Sequence, residues 1–148
     1  MSPAAGPGLL SAALLVRDDA SMLLVQHPAA SPFAPLWTMP LTGVTDAETA
    51  EEALERLLRG TLHVEPGAYD FLDTIYVTAA GGQRFIANVF SGTGWQGDPQ
   101  FASDAIADAA WVPAGQPGTL PLVPEVRDWF LAAAESRDKM RLISFPRQ

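Results

Sequence analysis

The stretch Asp46–Arg59 constrains the fold more than any other part of the chain. Ala50, Ala53, Leu54, Leu57 and Leu58 recur at helical spacing, and Glu48, Glu51 and Glu52 crowd its beginning. Carboxylates favour the positive end of a helix dipole, so the segment predicts a helix with Asp46 as N-cap. Gly60, followed by Pro66-Gly67, predicts its stop. Such a helix is stable only where its apolar stripe is covered, and the flanking sequence supplies strands to cover it. Upstream, the aliphatic runs Leu9–Arg17 and Met22–His27 surround the acidic turn Asp18–Ser21 and predict a β-hairpin, or at least consecutive strands. Downstream, Tyr69–Thr78 and Arg84–Ser91 flank Gly81-Gly82 and predict a second hairpin. Ala110-Trp111-Val112 reads as a short strand ending at Pro113. Pro121–Ser136 carries a second helix with Val123, Val126, Trp129, Phe130 and Ala133 on its buried face. Strands, helix, strands, helix is the order of an α+β fold rather than of repeated βαβ units.

With 148 residues and no internal repeat or long linker, the chain predicts one domain. The expected division is a flexible N-terminus at 1–8, a folded domain at 9–137 and a tail at 138–148. Within that tail, Leu142–Phe145 predicts an added strand, on this chain or on a partner. A net charge of −8 repels phosphate backbones and anionic membranes, which argues against nucleic acid or a membrane as partner. The absence of cysteine removes disulfides, thiolate metal sites and cysteine nucleophiles. Leu9–Val16 falls short of the about 20 apolar residues that cross a bilayer and lacks a secretory cleavage pattern, so a soluble cytoplasmic protein is expected. His27 and His63 show no metal-ligand spacing, and His27, at a strand end, reads as a surface residue. No Walker loop, nucleophilic serine elbow or dinucleotide glycine fingerprint is present.

Trp37 and Pro40 stand before the first helix, and Glu48 precedes Arg56 by eight positions. Leu58 and Val64 supply aliphatic positions around it, Ala53 a small one, and Ser103–Pro113 leads into a strand centred on Trp111. From Leu9 to Phe130 this pattern resembles the Nudix hydrolases, whose members cleave nucleoside diphosphates linked to another moiety. The resemblance implies a mixed β-sheet sandwiched between helices (α/β/α). It also implies a loop–helix–loop box: Gly, five residues, Glu, seven residues, then Arg-Glu-aliphatic-any-Glu-Glu-any-Gly-aliphatic. On that box Glu48 and Arg56 match the Glu and Arg that commonly pair and brace the loop against the helix.

The departures carry more information. Thr42 stands at the first Gly, with Gly43 after it, and His63 stands at the late Gly, a position often at positive φ, which His enters more readily than most residues. The three helix glutamates become Leu57, Gly60 and Thr61. Positions 57, 60 and 61 share one face of an α-helix, which is how three carboxylates there can hold magnesium. The metal neutralises phosphate charge and helps generate the attacking water. Leu57, Gly60 and Thr61 offer methyl groups, bare backbone and one neutral hydroxyl, so no metal cofactor is expected. Family members often place a further carboxylate near position 105, where this chain has Ala105 with Asp104 beside it. Glycine inside a helix costs about 1 kcal/mol relative to alanine, so Gly60 predicts that the helix ends a turn early.

Three functions follow from different readings. In the first, the domain binds a small molecule or a protein without hydrolysing it, through a cleft formed by Trp37, Leu57, Gly60, Thr61 and Arg84 and walled by Phe33. The plainer reading of Trp37, Trp111 and Trp129 is as core residues, leaving Trp95 as the exposed aromatic anchor. In the second, the chain is an active pyrophosphohydrolase with magnesium or manganese held at a displaced site built from Glu48, Glu51, Glu52 and Asp104. In the third it is a structural or dimerisation domain, a homodimer joined through Leu142–Phe145. Phosphate binding without metal would draw on Arg17, Arg59 and Arg84, since Arg56 is expected to be engaged by Glu48.

Overall fold

A computed structural model describes residues 8–92, 94–101, 103–113 and 118–135. The two aliphatic runs near the N-terminus form β1 (Gly8–Leu15) and β2 (Ser21–Gln26). Both strands are apolar on both faces. Leu10, Ala12 and Leu14 of β1 and Met22 and Leu24 of β2 enter one core, while Ala13, Leu15, Leu23 and Val25 enter a second. A strand that reads as a continuous aliphatic run is one covered from both sides. These two strands are therefore the middle layer of the molecule.

They do not form the expected hairpin. β1 is flanked by β4 (Leu41–Gly43), antiparallel, and by β6 (Arg84–Gly92), parallel, so neither of its edges is open to β2. β2 pairs instead with β3 (Trp37–Thr38) and β7 (Asp108–Pro113), and meets β1 only at the turn, through a bridge between Val16 and Met22. The strands thus form two sheets: a mixed one in the order β4-β1-β6-β5, and a smaller antiparallel one in the order β3-β2-β7. β5 (Tyr69–Thr78) and β6 make the predicted hairpin, with an irregularity between Phe71 and Asp73.

One helix covers each face. α1 (Ala50–Arg56) packs Leu54 into the core with Ala13, Leu15 and Phe90. α2 (Pro124–Glu135) packs Val126, Trp129 and Phe130 into the core with Leu10, Leu14 and Val89. It is tied to β5 at two heights, by the Thr78 hydroxyl donating to Glu125 and by the Trp129 indole N–H donating to Asp73 at 2.8 Å. The result is a helix–sheet–helix sandwich. The expected flexible segment lies outside the described residues except for Gly8, which begins β1. The side chain of Ala133 and the tail at 138–148 also lie outside them.

α1 differs from expectation at both ends. Its N-cap is Thr49, not Asp46: the Thr49 hydroxyl accepts the Glu52 N–H at 3.1 Å, and the Glu52 carboxylate accepts the Thr49 N–H at 2.9 Å. This reciprocal pair satisfies two N–H groups that the first turn would otherwise leave open. Asp46 lies in the preceding turn, closed by the Glu48 N–H donating to Thr45 O. At the other end Gly60 does not stop the chain. Leu57–Thr61 continue as a π-helical turn, in which the Leu62 N–H reaches Leu57 O at 3.1 Å. The turn-out comes at His63, whose φ is +59°.

Candidate functional site

Arg56 is the hub on one side of this helix. Its Nε donates to Glu48 Oε2 at 2.7 Å and its Nη2 to Glu48 Oε1 at 2.9 Å, a two-point ion pair. The same guanidinium reaches Gly43 O at 2.7 Å and the Thr42 hydroxyl at 3.2 Å. One side chain thereby fastens the capping loop and strand β4 to the last turn of α1. The Arg56 guanidinium, with help from the Thr45 N–H, holds the Glu48 carboxyl down to about 2, and Glu48 in turn raises Arg56. On the inner side, the Ser11 hydroxyl donates to Ala50 O at 2.7 Å and anchors the helix to β1.

The next residue faces a different environment. Leu57 is 3% exposed and packs with Leu23, Val25 and Leu62. Leu57 and half-buried Thr61 line a cleft of only about 40 Å³ together with Val25, His27 and Ile106. Gly60 is not part of it: a Cβ there would meet nothing nearer than Arg56 Cγ at 3.9 Å, on the outer side of the helix. Leu41, His27 and Ala105 border both this cleft and an adjoining groove of about 390 Å³. The groove continues over Pro28 and Pro32 to Phe33 and Phe85, whose rings are tilted against each other at 5.2 Å between centroids.

His27 stands at the junction of the two. Its Nε2 is 2.8 Å from the Thr38 hydroxyl and its Nδ1 is 2.9 Å from the Ser31 hydroxyl. Thr38 uses its own proton on Met39 O at 2.6 Å, so it accepts from Nε2–H. Ser31 then donates to Nδ1 while accepting the Phe33 N–H at 3.1 Å. Every ring nitrogen is used by a neutral imidazole, and burial pushes its pKa down to about 4. The groove therefore has a polar floor without a positive charge.

A family model for the NUDIX domain matches residues 9–133. The chain belongs to the NUDIX family. Solved structures with the same fold include a MutT NUDIX hydrolase from Burkholderia pseudomallei, at 23% identity over 86% of this chain and 98% of that one, with a TM-score of 0.73. The MutT protein of Methanosarcina mazei Go1 matches at 21% identity over 92% of this chain and 99% of its own, with a TM-score of 0.75. The NUDIX domain of Shewanella oneidensis NrtR, solved in complex with ADP ribose, matches at 22% identity over 91% and 92%, with a TM-score of 0.70. No curated protein matches the chain.

Within the NUDIX fold, the residues singled out from sequence are scattered. Leu57 and Thr61 meet at the cleft, and Glu48 and Arg56 meet at the brace. Trp37 is in neither place: it is 6% exposed and lies in the α2-side core, because its β3 position pairs with Gln26 and pulls the ring inward. Arg84 is also elsewhere, exposed at the start of β6 with its guanidinium over the Tyr76 ring at 4.6 Å. Glu51 is exposed on α1, Glu52 is engaged in the helix cap, and Asp104 lies on the rim of the apolar groove. Among the described residues no three His, Asp or Glu side chains converge as a metal-holding group. Arg59 is paired with Glu55 at 3.1 Å and Glu65 at 3.3 Å, and Arg17 lies over the Trp111 ring at 4.0 Å. Trp95 is half-buried and stacked on Trp111 rather than free.

His27, expected at the surface, is 7% exposed. The signal that marks it is Ser31, four residues on, in a proline-rich loop that turns back through the Ser31 N–H to Pro28 O contact. No described helix is long and apolar enough to cross a membrane.

Proposed function

We propose that this NUDIX-fold chain does not carry out metal-dependent pyrophosphate hydrolysis and instead binds a ligand or protein partner through the cleft and groove beside Leu57. The fold family implies a divalent metal, and the residues here do not fit one. On the box alignment the three metal positions fall at Leu57, Gly60 and Thr61. Magnesium takes oxygen ligands, usually carboxylates with water and substrate phosphate. Leu57 has no oxygen and is 3% exposed, Gly60 has no side chain, and Thr61 has one neutral hydroxyl. The buried Leu57 side chain, closing the cleft to about 40 Å³, is the observation that carries this reading.

The displaced-site alternative has less support. Glu48 is engaged on both oxygens by Arg56, Glu52 caps the helix, and Asp104 belongs to the other groove. The homodimer reading rests on Leu142–Phe145, which lies outside the described residues. The NUDIX domain solved with ADP ribose is a precedent for a ligand held by this fold, and the ligand of the present chain follows from its own groove.

The test is purified wild-type protein assayed against nucleoside diphosphate derivatives, ADP ribose among them, with magnesium or manganese. No turnover above the buffer rate is expected. Turnover that needs the metal and is lost in Glu48→Gln or Glu52→Gln would overturn the proposal in favour of the displaced site.

A further inference from the structure

The geometry points to the groove between His27 and Phe85 as a site for a small apolar cation, an amine on an aromatic or branched hydrocarbon body, rather than for a phosphate-bearing ligand. This deepens the reading just proposed and rests on that groove being a binding site. At about 390 Å³ the groove has the size of a small-molecule pocket, and its walls are built largely from Leu41, Pro28, Pro32 and Phe85. A hydrocarbon body is stabilised there by removal of apolar surface from water, and a flat ring can lie against Phe85.

Charge decides the rest. Among the described residues no lysine or arginine lines the groove. The Arg56 guanidinium reaches the groove residue Gly43 only at its carbonyl and already has both Glu48 oxygens. His27 is held neutral, with both nitrogens bonded inside the protein. The charged group on the rim is the Asp104 carboxylate, which takes no hydrogen bond or ion pair from a described residue. A phosphate placed in this groove would lose water without gaining a cation and would face that carboxylate. An ammonium would gain it.

The experiment titrates the full chain at pH 7 with 2-phenylethylamine and with 3-phenylpropionate, which present a similar ring and spacer and opposite charges. Binding is followed by amide chemical shifts. Saturable shifts at Ala30, Leu41 and Ala105 with the amine, and none with the carboxylate, are expected. Asp104→Asn weakens the amine about fivefold, as loss of one exposed charge contact does. Ala105→Arg, at an exposed position, reverses the preference. Equal binding of the two probes, binding of neither, or shifts confined to another surface would overturn the inference. None of these outcomes touches the proposed loss of hydrolysis, which stands or falls on the turnover assay.

Discussion

On one side of the peptide bond joining Arg56 to Leu57, a guanidinium gathers four hydrogen bonds from the capping loop and β4. On the other, a leucine side chain is sealed into a hydrocarbon core. The two residues are neighbours in one helix and serve opposite ends. The brace side is polar, paired and exposed, and fixes where the helix sits. The cleft side is apolar and buried, and determines what the helix face can hold. The contrast teaches that the brace is built without the residues at positions 57, 60 and 61. Glu48 and Arg56 keep their geometry through contacts within the loop and β4, none of which passes through position 57, 60 or 61.

The comparison can be broken most severely at Leu57. Leu57→Ala removes a buried side chain beside an existing cleft, and chemical denaturation should report a loss of about 2–5 kcal/mol. A loss under about 1 kcal/mol would mean the cleft wall is not part of the core. The second test is pH. His27 is held at about 4 in the fold against an ordinary value of 6.5. The unfolded chain therefore binds the extra proton first. The stabilisation is complete above pH 6.5 and falls as pH drops from about 6.5 toward 4, by roughly 3 kcal/mol at most. In His27→Gln the slope of stability over that window should flatten.

The brace side should yield smaller effects. Thr49→Ala removes half of the helix cap and should cost about 1 kcal/mol by the same denaturation measurement. Glu48, held at about 2, contributes in a separate window: its stabilisation is present above its ordinary value of 4.5 and is lost as pH falls toward 2. Arg56→Ala should leave the slope between pH 6.5 and 4.5 untouched and flatten the one below 4.5. A change in the upper window would show that brace and cleft are coupled after all.

The sequence was legible where local chemistry and long-range packing agree. The β5–β6 hairpin is signalled by its glycine turn, and α2 by the spacing of Val126, Trp129 and Phe130. The Glu48–Arg56 pair was implied by the resemblance to the family's box, and the two side chains meet at 2.7 Å. Legibility failed where partners come from afar. Nothing in Leu9–His27 tells that β4 and β6 occupy both edges of β1 and so displace β2 into another sheet. Asp46 and Thr49 are both good caps, and the choice is made by Glu52, whose reciprocal bond only Thr49 can complete. Trp37 and Arg84 resemble cleft residues by type, but the pleat of β3 turns one inward and the length of β6 carries the other to the far end of the sheet. The His27 network was invisible because its bonds depend on how the loop from Pro28 to Pro35 folds back and on the β2–β3 pairing that brings Thr38 alongside.

The most direct measurement is manganese binding to the wild-type protein, followed by electron paramagnetic resonance. The account predicts that the manganese stays free. Tight binding, lost in Glu48→Gln or Glu52→Gln, would contradict it.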